Sequence, residues 1–267
     1  MPRLVAIANA DDPRLDAYAR IRERDLAGRE KRFIIEGEVV LRVAIEAGRY
    51  PIESCLIAGS QAGKLEQLLA KLPAETPVMI APREVMDSVA GFPIHRGVLA
   101  AGLRTAELDQ KPLADWFPPS ALVVVAIGIA NHDNIGGIFR NAAAFGADAV
   151  LLDQTCCDPL YRKAIRVSAG GALRVPFFRG ADGAGLIGLL KHEGFAFAAL
   201  SPSARKTMSD CRPRHRNALV VGAEGPGLPE EVLRLCECYG IRMRGGFDSL
   251  NVATATGIAL NHMRNGR

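Results

Sequence analysis

The sequence predicts an α/β protein in which a carboxy-terminal domain with a mostly parallel sheet follows a smaller α/β domain. Three observations predict it. Residues 121–153 read ALVVVAIGIANHDNIGGIFRNAAAFGADAVLLD, an apolar β-branched run, a polar and glycine-containing turn, an amphipathic run and a second apolar run. That order is strand, turn, helix and parallel strand. On both sides of it further apolar runs alternate with helical patterns, the arrangement that builds parallel sheets. Between the two alternating regions, residues 105–120 (TAELDQKPLADWFPPS) carry three prolines and the only tryptophan, the composition of a linker. The expected division is therefore a first domain at 1–104, a linker at 105–120 and a second domain at 121–267.

Taken in order, Asp11-Asp12-Pro13 supplies a cap and a proline for a helix start. The segment it opens, Arg14 to Arg32, holds many arginines interleaved with Asp16, Glu23, Asp25 and Glu30, as an exposed helix with i,i+4 ion pairs would. Strands are expected at Phe33–Glu36, Ile52–Ala58, Pro77–Ile80 and Gly97–Ala101, and helices at Glu38–Ala47, Lys64–Lys71 and Arg83–Val89. In the second domain the run Leu122–Ala130 is apolar on both faces, as a strand covered by helices on each side should be. The cluster Asn131, His132, Asp133 and Asn134, then Gly136 and Gly137, forms the expected turn, and Ile138–Phe145 the helix. Strands follow at Ala149–Leu152, Phe195–Leu200, Ala218–Val221 and Cys238–Met243, with a last helix from about Asn251 to Met263. Polar residues at the carboxyl end of a parallel strand sit where open α/β sheets bind ligands. Arg140, one turn into the expected helix, can reach back over that edge.

The 267 residues suit one large or two ordinary domains, and 49% hydrophobic with 23% charged residues is a globular composition. A net charge of +4 is a mild basic bias, compatible with a polyanionic partner and equally with a solvated mixed surface. No window approaches 18 continuous apolar residues and the first residues are too short an apolar run for a signal peptide, so a cytoplasmic protein is expected. The six cysteines should then be reduced, buried and metal-free, since Cys236-x-Cys238 lacks zinc-knuckle spacing.

Two later stretches carry further polar and glycine residues. Leu219–Leu228 (LVVGAEGPGL) runs a strand into a glycine-rich turn that holds Glu224, ahead of a helix start at Pro229-Glu230-Glu231. Its G-x-x-G-x-G spacing, late in the chain, fits neither a dinucleotide fingerprint nor a phosphate loop. Glu224 could simply satisfy free N–H groups at the helix start. Ile241–Gly257 (IRMRGGFDSLNVATATG) ends a strand, turns on glycines and opens the last helix, which Ser249 or Asn251 would cap. The small residues Ala253 to Gly257 would let that helix pack closely on another backbone.

Together, Asn134-x-Gly136-x-x-x-Arg140, Gly222-x-Glu224-x-x-Gly227 and Ser249-Leu250-Asn251-Val252 closely resemble the SpoU class of the SPOUT superfamily, S-adenosylmethionine-dependent RNA 2′-O-ribose methyltransferases. Ser168-Ala-Gly170-Gly-Ala172 and Val175-Pro176-Phe177 are similar to that family as well. Phe33-Ile-Ile-Glu36-Gly37 and Arg96-Gly97-Val98-Leu99 resemble the small ribosomal-protein-like RNA-binding domain that many members carry.

The resemblance implies a carboxy-terminal SPOUT domain with a trefoil knot, a homodimer with the knot region at its interface, and S-adenosyl-L-methionine bent within the knot. By position, Gly222, Ile241 and Leu250 would give the cofactor backbone contacts, with Ala223, Met243 and Asn251 nearby. Asn134, Arg140, Glu224, Ser249 and Asn251 match the family's catalytic and RNA-facing positions. Two departures are Arg242 in place of the usual proline and Asn131-His132 in place of an Asp-Pro pair.

The implied reaction moves a methyl from a sulfonium to a ribose 2′-hydroxyl. A guanidinium stays protonated and makes a poor base. Arg140 is therefore expected to pin the adjacent phosphate and stabilise the developing alkoxide, with Asn134 orienting it and the proton leaving through phosphate, water or Glu224. Ribosomal RNA is the preferred substrate, transfer RNA the next. A non-catalytic RNA-binding protein on the same fold is the first rival reading, and a nucleotide-dependent oxidoreductase, which lacks its fingerprint here, the second.

Overall fold

A computed structural model describes residues 2–19, 31–104, 117–244 and 249–265. By contact, the chain forms two units, Met1–Asp109 with Leu160–Arg174, and Gln110–Pro159 with Val175–Arg267. The sequence division placed all of 160–174 in the second domain; the structure groups it with the first.

The first unit is built on a five-stranded sheet of β1 (Arg3–Ala6), β2 (Arg32–Glu36), β3 (Ile52–Ala58), β4 (Pro77–Ala81) and β5 (Val98–Leu103), in the order β1-β4-β3-β5-β2. Strands β1, β4 and β3 are parallel, and β5 runs antiparallel to both β3 and β2. The four expected strands are present, and β1 was not anticipated. Helices α1 (Glu38–Ala47), α2 (Gly59–Leu69) and α3 (Arg83–Ala90) separate them, α2 starting five residues before the expected point. The two stretches that resemble the ribosomal-protein-like domain lie side by side: Glu36 pairs with Leu99, and Gly37 N donates to Val98 O at 2.9 Å.

The expected helix from Arg14 to Arg32 does not form at its ends. Pro13–Tyr18 is a 3-10 helix capped by Asp12, whose side chain accepts from Arg14 N, and Arg32 opens β2. Leu15 and Tyr18, three apart, are both fully buried. A 3-10 helix places residues at that spacing on one face. Residues 20–30 lie outside the described residues. α5 (Arg162–Val167) and α6 (Gly171–Arg174) complete the unit. Arg162 pairs with the buried carboxylate of Glu36 at 2.5 Å and stacks over Phe92, 4.5 Å from the ring centroid.

Among the described residues the second unit carries seven strands, β6 (Ala121–Ile127), β7 (Ala149–Leu152), β8 (Phe177–Arg179), β9 (Ala196–Leu200), β10 (Lys206–Thr207), β11 (Arg216–Gly222) and β12 (Glu237–Gly240). Their order is β10-β12-β9-β11-β6-β7-β8 and every pairing is parallel. All carboxyl ends therefore share one edge. The chain moves outward from β6 through β7 to β8, then returns to the other side of β6, so the order reverses between β6 and β11. That is where such sheets leave a crevice. Every residue of β6 is buried, as its central place demands. Val123, Val125 and Ile127 pack with Leu186, Ile187 and Leu190 of α7 (Gly183–His192). Phe117, at the end of the expected linker, belongs to this core and meets Phe195 edge-to-face at 4.9 Å. Residues 105–116 of that linker are not among those described.

Two helices follow from small residues. α4 spans His132–Phe145 and is capped by the Asn131 side chain, which accepts from Asp133 N. The polar cluster and Gly136-Gly137 are thus the first turns of the helix, not a loop before it. The glycine serves contact: a Cβ on Gly137 would lie 2.4 Å from the Cβ of Ala253 in α9 (Val252–Asn265). Asn141 Nδ2 donates to Ala253 O at 2.6 Å and Gly257 packs on the Asn141 side chain, as the small-residue run led us to expect. α8 (Glu230–Leu233) is a single short turn.

Strand β12 ends at Gly240, and 241–244 are irregular, so the expected strand to Met243 is three residues too long at its end. The six cysteines are free thiols, Cys55, Cys156 and Cys211 buried and the others half-buried. Among the described residues no helix is long and apolar enough to cross a membrane.

Candidate active site

At the carboxyl edge of the second unit, the ends of three neighbouring strands, β9, β11 and β12, open into a cavity of about 460 Å³. Its volume lies in the range of small-ligand sites. Gly222 to Leu228 after β11 form one wall, Gly240, Ile241 and Met243 after β12 another, and Ser249 to Val252 before α9 a third. Gly222, Ala223, Ile241, Met243, Leu250 and Asn251, the positions that the resemblance gave to the cofactor, all line it.

The first wall needs its glycines. The 223–227 loop turns back on the strand, with Gly227 N donating to Ala223 O at 3.1 Å. A Cβ on Gly222 would sit 2.6 Å from Gly227 C and 2.7 Å from Leu228 N, so no larger residue fits under the loop. Gly225 (φ 92°) and Gly227 (φ 71°) adopt left-handed backbone that other residues rarely take. The loop presents backbone rather than side chains to the cavity at Gly222, which suits a ligand recognised by N–H and C=O groups.

Of the five expected catalytic positions, three are joined directly. Asn251 Nδ2 donates to Asn134 Oδ1 at 2.8 Å and to Glu224 Oε1 at 3.0 Å. Asn251 Oδ1 at the same time accepts from Ala253 N at 2.9 Å and Thr254 N at 3.3 Å, capping α9. Capping thus falls to Asn251, while Ser249 is exposed on the cavity wall. The three side chains come from β6–α4, β11–α8 and the start of α9, and meet beside the β6/β11 reversal. Asn134 is buried; Glu224 and Asn251 are exposed.

Arg140 is not in that cluster. Because α4 begins at His132, Arg140 lies two turns into the helix, about 9 Å along the axis from Asn134. It is exposed and does not line the cavity. Arg242 is exposed as well, and borders a neighbouring hollow with Thr207, Ser209, Asn261 and His262 instead of the cavity. There Thr207 holds the Asp210 carboxyl below the usual range through its N–H and hydroxyl, and Arg212 and Arg242 add to it. His132 opens α4.

The sequence reading missed Leu200, Ser201, Pro202 and Tyr239, which complete the cavity. The signal was present at β9: an apolar strand running straight into Ser201-Pro202 repeats the pattern seen after β6 and β11. Tyr239 carries no such signal. Burial, reinforced by its hydrogen bond to Glu237, raises its phenol well above the ordinary value, so it is a neutral donor. Among the described residues no group of three or more His, Cys, Asp and Glu side chains is placed to hold a metal ion.

Residues 121–261 match the model of the SpoU rRNA Methylase family. An uncharacterised tRNA/rRNA methyltransferase of Mycobacterium tuberculosis (strain CDC 1551) is 38% identical over 262 residues, covering 95% of this chain and 89% of that relative. The 23S rRNA (guanosine-2′-O-)-methyltransferase RlmB of Escherichia coli K12 is 28% identical over 212 residues, 78% of this chain and 87% of its own. Among solved structures, an RNA 2′-O ribose methyltransferase covers 98% of this chain and 99% of its own with a TM-score of 0.81 at 26% identity. The AdoMet-bound rRNA methyltransferase of Sinorhizobium meliloti, at 22% identity, shares the fold over 98% of both chains with a TM-score of 0.82.

Proposed function

We propose, from the premise that this chain belongs to the SpoU rRNA methylase family, that it transfers a methyl group from S-adenosylmethionine to a ribose 2′-hydroxyl of RNA, with ribosomal RNA as the substrate. The observation that carries the reading is one side chain: Asn251 lines the ligand cavity and also holds Asn134 and Glu224 through its amide. A cofactor wall and a polar cluster suited to substrate therefore meet at one residue.

The cavity fits S-adenosylmethionine in size and in its backbone-rich wall, where a Cβ at Gly222 would collide with the loop. Gly222, Ala223, Ile241, Met243, Leu250 and Asn251 would hold it. When bound, the cofactor supplies an electrophilic methyl on a sulfonium. The chain's own part is alignment and charge. Arg140, exposed and outside the cavity, would grip a phosphate through its guanidinium fork and not accept a proton. Ser249 and Glu224 stand on the cavity wall, where Ser249 would meet RNA and the Glu224 carboxylate is an acceptor for the departing proton, directly or through water.

We assign the first unit, whose strands β2 and β5 bring the two ribosomal-protein-like stretches together, to RNA binding. A cytoplasmic homodimer is part of the same reading. Transfer RNA is the alternative substrate, and the tRNA/rRNA naming of the mycobacterial relative keeps it in view.

Total RNA from a strain lacking the gene, incubated with tritiated S-adenosylmethionine and size-fractionated, tests the reading. Alkali-resistant label in ribosomal RNA is expected. Label in transfer RNA would keep the chemistry and replace the substrate, and no label together with no cofactor binding would leave only an RNA-binding protein. Arg140→Lys should bind the cofactor as the parent does and lose most turnover; a near-parental rate would refute the phosphate role.

A further inference from the structure

The direction of the hydrogen bonds around Asn251 is forced by chemistry. Ala253 N and Thr254 N are backbone N–H groups, which can only donate. The side-chain atom of Asn251 that faces them must therefore be its carbonyl oxygen. Its other terminal atom is then the amide nitrogen, a donor only, and both groups it faces must accept. One is a Glu224 oxygen; the other is the Asn134 side chain, 2.8 Å away. The Asn134 atom turned toward Asn251 must be Oδ1, so Nδ2 points the other way.

That Nδ2 is spare. Asn134 is 5% exposed, and Nδ2 makes no hydrogen bond among the described residues. It is not sealed from the surface either, since the only buried unpaired side-chain atom found among the described residues is Arg49 Nε. A mostly buried amide thus keeps one donor unbonded among the described residues and not fully enclosed, its direction set from the backbone of α9 through Asn251.

We infer that Asn251 is a positioning residue that locks the Asn134 amide with its –NH2 group outward, so that Asn134 recognises an acceptor oxygen of the RNA and takes no part in removing the 2′-hydroxyl proton. The oxygen belongs to a phosphate or a ribose; both are acceptors, and an exocyclic base amine is not. Of the three bonded side chains, only Glu224 then keeps an acceptor for that proton. The inference rests on the methyltransferase reading and adds a polarity to it.

Asn134→Asp and Asn134→Ala separate the possibilities. Aspartate keeps an oxygen for Asn251 to donate to, but replaces the outward donor with a second acceptor bearing charge. Alanine only removes it. Both variants lose that hydrogen bond, and only aspartate adds repulsion against the negatively charged RNA backbone, which predicts that the aspartate variant has a KM for ribosomal RNA about tenfold above that of the alanine variant. Cofactor affinity should stay at the parental value in both, and any fall in the thermal midpoint should leave both variants folded at the assay temperature. Asn251→Asp, which retains a good helix cap but sets a carboxylate against Glu224 in place of the donor, should raise the RNA KM.

An aspartate variant at 134 equal to or better than alanine in KM overturns the inference while leaving the methyltransferase reading intact. So does an aspartate variant whose loss falls on cofactor binding. A parent protein that methylates no RNA overturns both. Phosphorothioate-substituted RNA distinguishes the oxygen: a penalty present in the parent and absent in Asn134→Ala assigns it to phosphate, and equal penalties assign it to ribose.

Discussion

The Cβ that Gly137 lacks would stand 2.4 Å from the Cβ of Ala253, closer than two non-bonded carbons approach. α4 and α9 are held at that distance by a further bond, Asn141 Nδ2 to Ala253 O. The contact matters to the site because the two helices carry Asn134 and Asn251 at their starts.

Gly137→Ala should therefore destabilise the fold, although alanine is the better helix former by about 1 kcal/mol. Overpacking of this kind costs about 1–3 kcal/mol and should outweigh the gain. Ala253→Gly, added to it, should restore most of the loss. Chemical denaturation of the single and double variants measures the coupling, and simple additivity would show that the two residues do not press on each other.

Gly222→Ala should act elsewhere. Its Cβ would meet Gly227 and Leu228 main chain, and backbone cannot swing aside as a side chain can. The 223–227 loop must shift, and with it Ala223, Glu224 and the cavity wall. We expect at least a tenfold weaker affinity for S-adenosylmethionine, about 1.4 kcal/mol, by titration calorimetry. Parental affinity would mean that the loop is free to open.

The Glu36 carboxylate is buried between Arg162 at 2.5 Å and Arg166 at 3.8 Å. Removing one member of a buried pair leaves the other uncompensated and costs about 3–5 kcal/mol. Arg162→Ala should lower stability toward that range, softened because the Arg162 side chain is 20% exposed. Arg166, farther away and half-exposed, should cost under about 1 kcal/mol when replaced by alanine. Equal losses at the two positions would contradict the geometry.

Much of this was legible in the sequence because burial and periodicity report it. β6 is buried along its whole length and reads as an unbroken apolar run; α1 has its expected ends, Glu38 and Ala47. What was not legible depends on partners distant in sequence. Gly136-Gly137 reads locally as a turn, and only Ala253, 116 residues on, reveals why a helix needs glycine there. Arg162 reads as one more surface arginine until Glu36, 126 residues earlier, is beside it. The 3-10 form of Pro13–Tyr18 follows from burying Leu15 and Tyr18 together, which local propensity does not record. At the cavity, two of the three motifs supply lining residues, while the walls at Leu200–Pro202 and Tyr239 come from strands that merely end at the same edge.

The thiols supply a last prediction with a definite sign. Burial pushes Cys55, Cys156 and Cys236 up to about 12, far above the ordinary cysteine range. For Cys156, a hydrogen bond involving Asp153 adds to the effect. The native state therefore keeps these protons where the unfolded chain, with cysteines near 8.5, releases them. Stability from this source is complete below about pH 8.5 and is lost progressively as pH rises from there toward 12. Urea midpoints should fall between pH 8 and 10, and a Cys55→Ala, Cys156→Ala double variant should show a flatter decline than the parent over that window. Within the native state the buried Cys55 and Cys156 should resist a disulfide reagent at pH 8 and react only as fast as the chain opens. Rapid labelling of Cys156 in folded protein would show that its thiol is not shielded between Ile129 N and Ala126 O, where the structure places it.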